Sequence, residues 1–248
     1  VVNNLGDKPA DISSGVTVNS IKRVWGSLSA AEAGSPGASY INTSDLGSAG
    51  VVLNLPCYYD TGADTTAVTI DGWTTTSANY IRIYTPNNTN TEANYSQRHS
   101  GKWDEGKWRL ETTGNNSIFD YEEYVRIDGL QLKLTLVTSS ANTLRINPST
   151  SITDIQVLNN IMQGVITEGA GAAGIVQSAS GTSYVWNNII YGFDANSSRS
   201  SGISNSGGNL YAYNNTVYDN VYGMKANSGV FYAKNNISYN NQDNYFLL

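Results

Sequence analysis

Four segments of the sequence align without gaps around a pair of asparagines. They cover residues 155–161, 183–189, 210–216 and 231–237, and their first asparagines are Asn159, Asn187, Asn214 and Asn235. Subtracting these positions places successive pairs 28, 27 and 21 residues apart. Because a fixed local pattern at such a period is typical of stacked structural repeats, the sequence predicts a solenoid whose coils vary in length.

Each segment is predicted to be a short strand that runs into an Asn-Asn corner and leaves it as a second strand. Asparagine suits the corner because it tolerates the left-handed conformation and bonds to neighbouring backbone. Alternation directs Val157, Val185, Ala212 and Ala233 inward, and Gln156, Tyr184, Tyr211 and Tyr232 outward. After the corner, the inward residues are expected to be Ile161, Ile189, Thr216 and Ile237. Stacked asparagine side chains are expected to hydrogen-bond from coil to coil.

The rest of the chain carries a weaker form of this pattern. Residues 68–73 and 125–130 each consist of a strand-like run that contains Asp-Gly, which is a turn signal like Asn-Asn. We therefore expect one domain over residues 1–248, made of an N-terminal arm and cap helix (1–49), irregular coils (50–154) and regular Asn-cornered coils (155–248). A polar excursion at 86–116 is predicted to be a loop laid over one face.

A helix is predicted from Ile21 to Ala33. An apolar stripe at helical spacing supports it, formed by Ile21, Val24, Trp25 and Leu28. Gly34 follows just past the predicted end, where glycine commonly stops a helix. We expect this amphipathic helix to act as a lid on the solenoid.

The charge balance argues against a nucleic-acid binder. The chain has 14 Lys and Arg against 20 Asp and Glu, a net charge of −6, whereas binding to phosphates needs a basic face. Hydrophobic residues make up 40% of the chain, so it is expected to fold. No apolar run is long enough for a membrane helix. Since the sequence opens at Val1 without a methionine, we expect an exported protein, extracellular or at the cell surface, whose signal peptide has been removed.

The four Asn-Asn corners, the inward aliphatic residues and the early amphipathic helix resemble the right-handed parallel β-helix superfamily, which includes pectate lyases, polygalacturonases and phage tailspikes. The resemblance covers nearly the whole chain and implies an all-β solenoid with an N-terminal cap helix. This scaffold hosts many functions, so the likeness implies architecture rather than activity. The motifs of its glycosidases are missing, and the acidic residues of the regular coils do not line up as its calcium sites require. We therefore expect a non-catalytic member with no cofactor and no metal.

An outward stripe of aromatic residues is the first candidate binding site. It comprises Tyr184, Trp186, Tyr211, Tyr213 and Tyr232. Coils in register stack about 4.8 Å apart, so these rings are expected to form a ladder on one face. Such a ladder suits sugar rings or the surface of a partner protein. The alternative is that the rings stack on one another and only stabilise the sheet.

The excursion holds a second candidate site, which combines charged residues with the only histidine of the chain. Its residues are Arg98, His99, Lys102, Trp103 and Asp104. A histidine near an aspartate and a lysine has the chemistry of a general base, since its ordinary pKa lies close to neutrality. The alternative is a structural flap whose charges face solvent. Cys57 is the only cysteine, which excludes an intramolecular disulfide and a Cys-based zinc site.

An acidic run offers oxygen ligands of the kind that calcium prefers. Its members are Asp120, Glu122, Glu123 and Asp128. The run lacks the fixed ligand spacing of a known calcium loop, and tyrosines are interleaved with the carboxylates. A solvated strand edge is the alternative, and calcium binding between residues 120 and 128 is left open.

The chain ends are candidate subunit contacts because they are apolar. Their residues are Val1, Val2, Tyr245, Phe246, Leu247 and Leu248. The last coil of a solenoid exposes an unpaired edge, which either the chain's own tail or another chain has to cover. We therefore predict a non-enzymatic structural or adhesive protein that assembles head to tail with its own copies, into a filament or part of a surface or virion appendage. The alternative is a carbohydrate-binding or polysaccharide-degrading protein that uses the aromatic stripe.

Overall fold

The chain folds into a parallel β-solenoid, and the predicted fold class is confirmed. The structure is a computed structural model that describes residues 24–93, 95–137, 140–151, 154–167, 169–195 and 199–247. The elements within these ranges are α1 (Leu28–Gly34), α2 (Leu46–Ala49), β1 (Leu53–Pro56), β2 (Val68–Ile70), β3 (Ile81–Tyr84), β4 (Leu110–Thr113), β5 (Ile118–Asp120), β6 (Val125–Asp128), β7 (Gln131–Leu136), β8 (Ser140–Ile146), β9 (Ile155–Leu158), β10 (Ile161–Ile166), β11 (Gly171–Gln177), β12 (Thr182–Trp186), β13 (Ile189–Tyr191), β14 (Ser201–Tyr213), β15 (Thr216–Tyr218), β16 (Tyr222–Lys234), β17 (Ile237–Tyr239) and β18 (Asp243–Leu247).

The strands form three faces of a column, and successive coils add parallel strands to each face. Face A contains β1, β3, β6, β9, β12 and the second halves of β14 (209–213) and β16 (230–234). Face B contains β4, β7, β10, β13, β15 and β17. Face C contains β2, β5, β8, β11, the first halves of β14 (201–205) and β16 (222–226), and β18.

Face A passes into face B at the predicted Asn-Asn corners. The first asparagine of each pair is left-handed, with φ of 57° at Asn159, 58° at Asn187, 54° at Asn214 and 57° at Asn235. The second asparagines, at 160, 188, 215 and 236, stack one above another and form what we call the asparagine ladder. Its geometry repeats: the backbone N–H and the side-chain amide of Asn160 both donate to Oδ1 of Asn188, at 3.0 and 2.9 Å. Asn188 and Asn215 donate in the same way to the next coil.

A second, shorter ladder lies where face B passes into face C. The N–H of Phe193 donates to Oδ1 of Asn220 at 3.1 Å, and Asn220 donates through both its nitrogens to Oδ1 of Asn241. Asp219 and Asn240, which precede these two asparagines, are left-handed with φ of 58° and 52°. This corner was not predicted from the sequence, although it has the same two-residue form.

Of the four predicted interior positions after the Asn-Asn corners, Ile161 is buried, with 1% of its surface exposed, and the other three do not lie in the core. There the interior position is one residue later: Met162, Ile190 and Val217 are fully buried, whereas Ile189 and Thr216 are half-buried and Ile237 is 58% exposed. The cause is the second asparagine of each pair, which itself points inward, so that alternation restarts from it. Before the corner, the predicted inward residues Val157, Val185 and Ala212 are fully buried. Ala233 is exposed because it belongs to the last coil.

The predicted cap helix is present, but it is shorter than the sequence indicates. α1 begins at Leu28, because Ser27 is extended and its side-chain oxygen accepts a hydrogen bond from the N–H of Ala30 at 3.1 Å. Val24 is exposed ahead of the helix, and residues 21–23 lie outside the described ranges. α1 packs on β1 and β2, the first strands of faces A and C, and so covers the N-terminal end of the column. Neither helix of the described residues has the length and apolar character of a membrane span.

The excursion at 86–116 differs from the prediction near its end. Residues 110–113 form β4, the first strand of face B, where Leu110 and Thr112 are buried. The alternation of this short run is that of a strand with one face in the core.

Candidate functional site

The aromatic stripe predicted on face A is present as a stack of rings. Tyr184, Tyr211 and Tyr232 pair in register, with ring centroids 5.3 and 4.5 Å apart and interplanar angles of 18° and 8°. We call these three residues the first tyrosine row. Each ring covers the face of the next, so ring edges and hydroxyl groups face solvent along the row. A sugar ring needs an open aromatic face, and the outer face of Tyr232 offers one at the C-terminal end, where this residue is 45% exposed.

Trp186 and Tyr213 lie beside the first tyrosine row on the same strands. They pair in register with each other, and Tyr213 pairs with Lys234 of the last coil. Both aromatic side chains are half-buried, and the ring of Tyr213 is tilted by 54° to that of Tyr211. The structure therefore brings the five predicted aromatic residues onto one surface, and their mutual stacking favours a role in stabilising the sheet.

A second tyrosine row on face B was missed as a candidate. Tyr191, Tyr218 and Tyr239 pair in register, with centroids 5.0 and 5.6 Å apart and interplanar angles of 11° and 19°. The signal was in the sequence, because these tyrosines occupy matching positions four residues after the first asparagine of each corner. Stacked tyrosine rows thus run along the column axis on both face A and face B, which indicates that ring stacking contributes to the packing of successive coils.

Arg98 of the predicted loop site is an ion-pair partner of Asp128. Its Nη2 lies 2.8 Å from Oδ2 of Asp128, and Nη2 of Arg82 lies 3.6 Å from the same oxygen. The other oxygen of this carboxylate accepts a hydrogen bond from the side chain of Asn159 at 2.9 Å. Arg98 also packs on Gly129, where an added Cβ would lie 2.2 Å from its Nε. The ion pair between Arg98 and Asp128 thus holds the loop against a corner of face A. Gly129 lies at this corner, and its lack of a side chain makes room for Arg98.

His99 lies next to this ion pair and is partly buried, rather than exposed to a substrate. Its Nδ1 accepts a hydrogen bond from the N–H of Gly101 at 3.2 Å, and its Nε2 is buried with no hydrogen-bond partner among the described residues. Burial lowers the pKa of His99, which keeps the ring neutral at physiological pH. This geometry favours the structural flap over a general base.

The other predicted loop residues lie on a separate branch. Lys102 and Asp104 are exposed and Trp103 is half-buried. The backbone N–H of Asp104 donates to Oε1 of Gln131 at 2.7 Å. In return, Nε2 of Gln131 donates to the backbone carbonyl oxygen of Asp104 at 2.9 Å. Gln131 begins β7, so this branch is tied to face B and not to the Arg98 corner.

The acidic run from 120 to 128 is dispersed by the fold. Asp120 is buried inside β5, Glu122 accepts a hydrogen bond from the N–H of Trp73 at 2.8 Å, and Asp128 is paired with arginine. No three His, Cys, Asp or Glu side chains of the described residues lie close enough together to hold a metal ion. The carboxylates are separated because β5 belongs to face C and β6 to face A, so that Asp120 and Asp128 end strands on different faces and the two glutamates lie in the turn between them.

Asp120 gives a pH prediction with a definite sign. Complete burial raises its pKa well above the ordinary value, and its Oδ2 has no hydrogen-bond partner among the described residues. A raised pKa in the folded state means that the stability contribution is present at low pH and is lost as the pH rises through the folded pKa. Asp120→Asn is therefore expected to raise the midpoint of urea unfolding at neutral pH and to have a much smaller effect in acid. An equal effect at both pH values would contradict this assignment.

A polar groove on face C brings three basic residues together. It encloses about 270 Å³, and its charged lining residues are Arg145, Arg199 and Lys225. The groove was not predicted from the sequence because these residues are up to 80 positions apart. Arg145 and Lys225 are brought together by the register of β8, β11, β14 and β16, and Arg199 lies just ahead of β14.

The C-terminal coil, residues 230–247, is the least covered part of the column. Its exposed apolar and aromatic residues are Val230, Tyr232, Ile237, Tyr239 and Tyr245. Both tyrosine rows and the asparagine ladder end in this coil. Of the predicted contact residues, Tyr245 is exposed and Phe246 is tilted against Tyr222, with centroids 4.9 Å apart. Val1, Val2, Leu248 and the side chain of Leu247 lie outside the described part of the chain.

No protein family, curated protein or solved structure matches the chain. The fold class is therefore carried by the parallel pairing and its register alone. The candidate sites likewise have to be judged on their own geometry and charge.

Proposed function

We propose that the chain is a non-enzymatic structural and adhesive protein of the cell surface or extracellular space, and that its C-terminal coil pairs with a second copy. The observation that supports this most directly is the exposure of apolar residues on that coil, with Ile237 at 58% and Tyr239 at 52%. Contiguous exposed apolar surface beside unpaired strand edges is typical of a site that joins another chain.

The position of α1 bears on how the copies meet. A head-to-tail contact needs an uncovered first coil in the next copy, and α1 packs on the first strands of faces A and C. Contact between two C-terminal coils needs no such opening. It also relates the two copies by a twofold axis, which closes the assembly at two subunits. We therefore favour a tail-to-tail pair over the filament predicted from the sequence.

The test is the oligomeric state of the chain at micromolar concentration, measured by light scattering. The chain is expected to be a dimer, and Ile237→Asp is expected to make it a monomer by placing a charge in the contact. Val165→Asp is the matched control, since Val165 is also exposed on face B but lies in an inner coil. A monomeric parent chain, or filaments in electron micrographs, would overturn the tail-to-tail pair.

Carbohydrate binding at the aromatic stripe is the second candidate function. The open outer face of Tyr232, next to Lys234 on the same strand, is the observation that favours it. Retention on a neutral polysaccharide gel would support this alternative, and release of reducing ends would extend it to degradation. Neither result is expected if the rings only stack on one another.

A further inference from the structure

The last two rings of the first tyrosine row are held face to face on neighbouring coils. The ring centroids of Tyr211 and Tyr232 lie 4.5 Å apart, and the ring planes differ by only 8°. The two residues are paired in register, so both side chains leave the sheet at the same level and in the same direction. The ring carbons next to the two hydroxyl groups are therefore held close together by the stacking of the coils.

Tyr232 has the freedom of movement that a new bond between the two rings would require. Tyr211 lies between two rings, since Tyr184 stacks on its other side with centroids 5.3 Å apart. Tyr232 belongs to the last coil, and no ring of the described residues stacks on its outer face. Because it is also 45% exposed, its ring can turn toward Tyr211 without displacing a core residue.

The sulfur side chains, which are readily oxidised in proteins, are kept away from solvent. The chain has one cysteine and two methionines, and Cys57, Met162 and Met224 are all buried. Cys57 follows β1, and five strand spacings of about 4.8 Å separate β1 from β14 along face A. An oxidant in solution therefore meets exposed tyrosines before it meets a thiol or a thioether.

The last coil would gain from a covalent link to the coil before it. Residues 230–247 are poorly covered, and a chain with a single cysteine cannot form a disulfide within itself. A link between the two coils would restrict the unfolded chain and so stabilise the folded one, as a disulfide does.

We infer that Tyr211 and Tyr232 are a site of oxidative cross-linking, at which a peroxidase and hydrogen peroxide join the two rings as dityrosine. Each phenol loses one electron and one proton to become a phenoxyl radical, and the peroxide takes up both electrons and both protons and leaves as two water molecules. The radicals join through the ring carbons next to their oxygens, which forms one carbon–carbon bond. Each of these carbons then releases its hydrogen as a proton, and each oxygen regains a proton, so both phenols are restored. The inference goes beyond the proposed pairing of C-terminal coils and does not depend on it.

The other stacked tyrosine pairs are less suited to coupling. Tyr218 and Tyr239 also end a row, but their centroids are 5.6 Å apart and their planes differ by 19°. Tyr184 and Tyr211 are 5.3 Å apart, and neither belongs to the mobile end of the row. Tyr184 and Tyr232 are separated by two strand spacings, or about 10 Å, which is too far for a bond.

Limited oxidation of the full chain at low micromolar concentration, with a haem peroxidase and hydrogen peroxide, tests the inference. Trypsin cleaves after Lys225, which lies between the two tyrosines, so Tyr211 falls on peptide 200–225 and Tyr232 on peptide 226–234. Mass spectrometry is expected to find these two peptides joined with the loss of two hydrogens. The joined peptides are expected in material that keeps the mass of a single chain, together with the fluorescence of dityrosine.

Three results would overturn the inference. One is the absence of dityrosine. Another is a link that joins peptide 200–225 mainly to peptide 235–248, which would assign the coupling to other tyrosines such as Tyr218 and Tyr239. The third is dityrosine found only in chains of doubled mass, which would assign it to contact between copies. Light scattering before oxidation reports separately on the pairing of copies.

Matched variants locate the cross-link. Tyr211→Phe and Tyr232→Phe each keep the stacked ring and remove only the hydroxyl that forms the radical, so each is expected to abolish the link between the two peptides. Tyr95→Phe removes a tyrosine that is 63% exposed, and it is expected to leave the yield of the link unchanged. Oxidation is also expected to raise the thermal midpoint of the parent chain and not that of Tyr211→Phe. Persistence of the link in Tyr211→Phe would overturn the inference.

Discussion

Asn188→Ala is expected to lower the free energy of unfolding by about 3 kcal/mol, because it removes the centre of the asparagine ladder. Oδ1 of Asn188 accepts from the backbone N–H and side-chain amide of Asn160, and its own Nδ2 donates to the carbonyl oxygens of Val157 and Trp186 and to Asn215. Alanine leaves these groups buried without their partner. Urea unfolding followed by circular dichroism measures the loss.

Asn187→Gly is the control for this prediction. Asn187 is the neighbouring residue, exposed and left-handed at φ 58°, and its side chain makes a weak contact of 3.4 Å with Asn159. Glycine adopts this conformation without strain, so the expected change is within about 0.5 kcal/mol. If Asn188→Ala were as mild as Asn187→Gly, the ladder would not be a main source of stability.

Gly202→Ala is expected to destabilise the chain by about 3 kcal/mol, through overpacking rather than backbone strain. A Cβ on Gly202 would lie 2.2 Å from Cγ1 of Val217 and 2.9 Å from the carbonyl oxygen of Gly223. Gly174 in the coil before and Gly223 in the coil after are equally close to face B. The column is therefore so narrow at this level that faces B and C nearly touch. The soluble yield and the thermal midpoint report the effect.

Two further variants separate overpacking from other causes of instability. Gly62→Ala is the control, because a Cβ there meets nothing within 4 Å, and little change is expected. Val217→Ala removes the nearest obstructing atom, so the double variant Gly202→Ala with Val217→Ala should lose less than the sum of the two single losses. Additive losses would mean that the contact with Val217 is not the cause.

The local features of the fold were readable from the sequence, and the features that depend on register were not. The Asn-Asn corners were predicted correctly because asparagine acts within one turn of chain. Three of the four interior positions after the corner were missed because the second asparagine was taken as part of the turn, whereas it occupies an inward position. α1 starts at Leu28 because Ser27 provides an N-cap. The prediction followed the apolar stripe instead, which begins at Ile21, and so placed the start of the helix too early.

The same distinction holds for the candidate sites: a site built from one position of the repeat was predicted, and a site that depends on strand register was not. The aromatic stripe was predicted because its members recur at one position of the repeat. The groove on face C escaped notice because Arg145 and Lys225 belong to strands that differ in length and are joined by turns of different size. No periodicity in the sequence marks these two residues as members of one row.

The asparagine ladder has a direction, because each Oδ1 accepts from the coil that precedes it in the chain. A ribosome releases the coils in that order, so the buried donors of one coil stay unsatisfied until the next 21 to 28 residues have emerged. The hydrogen bonds of each coil are therefore completed only after the next coil has been synthesised. A premature stop within this region would damage the last coil retained as well as remove those that follow.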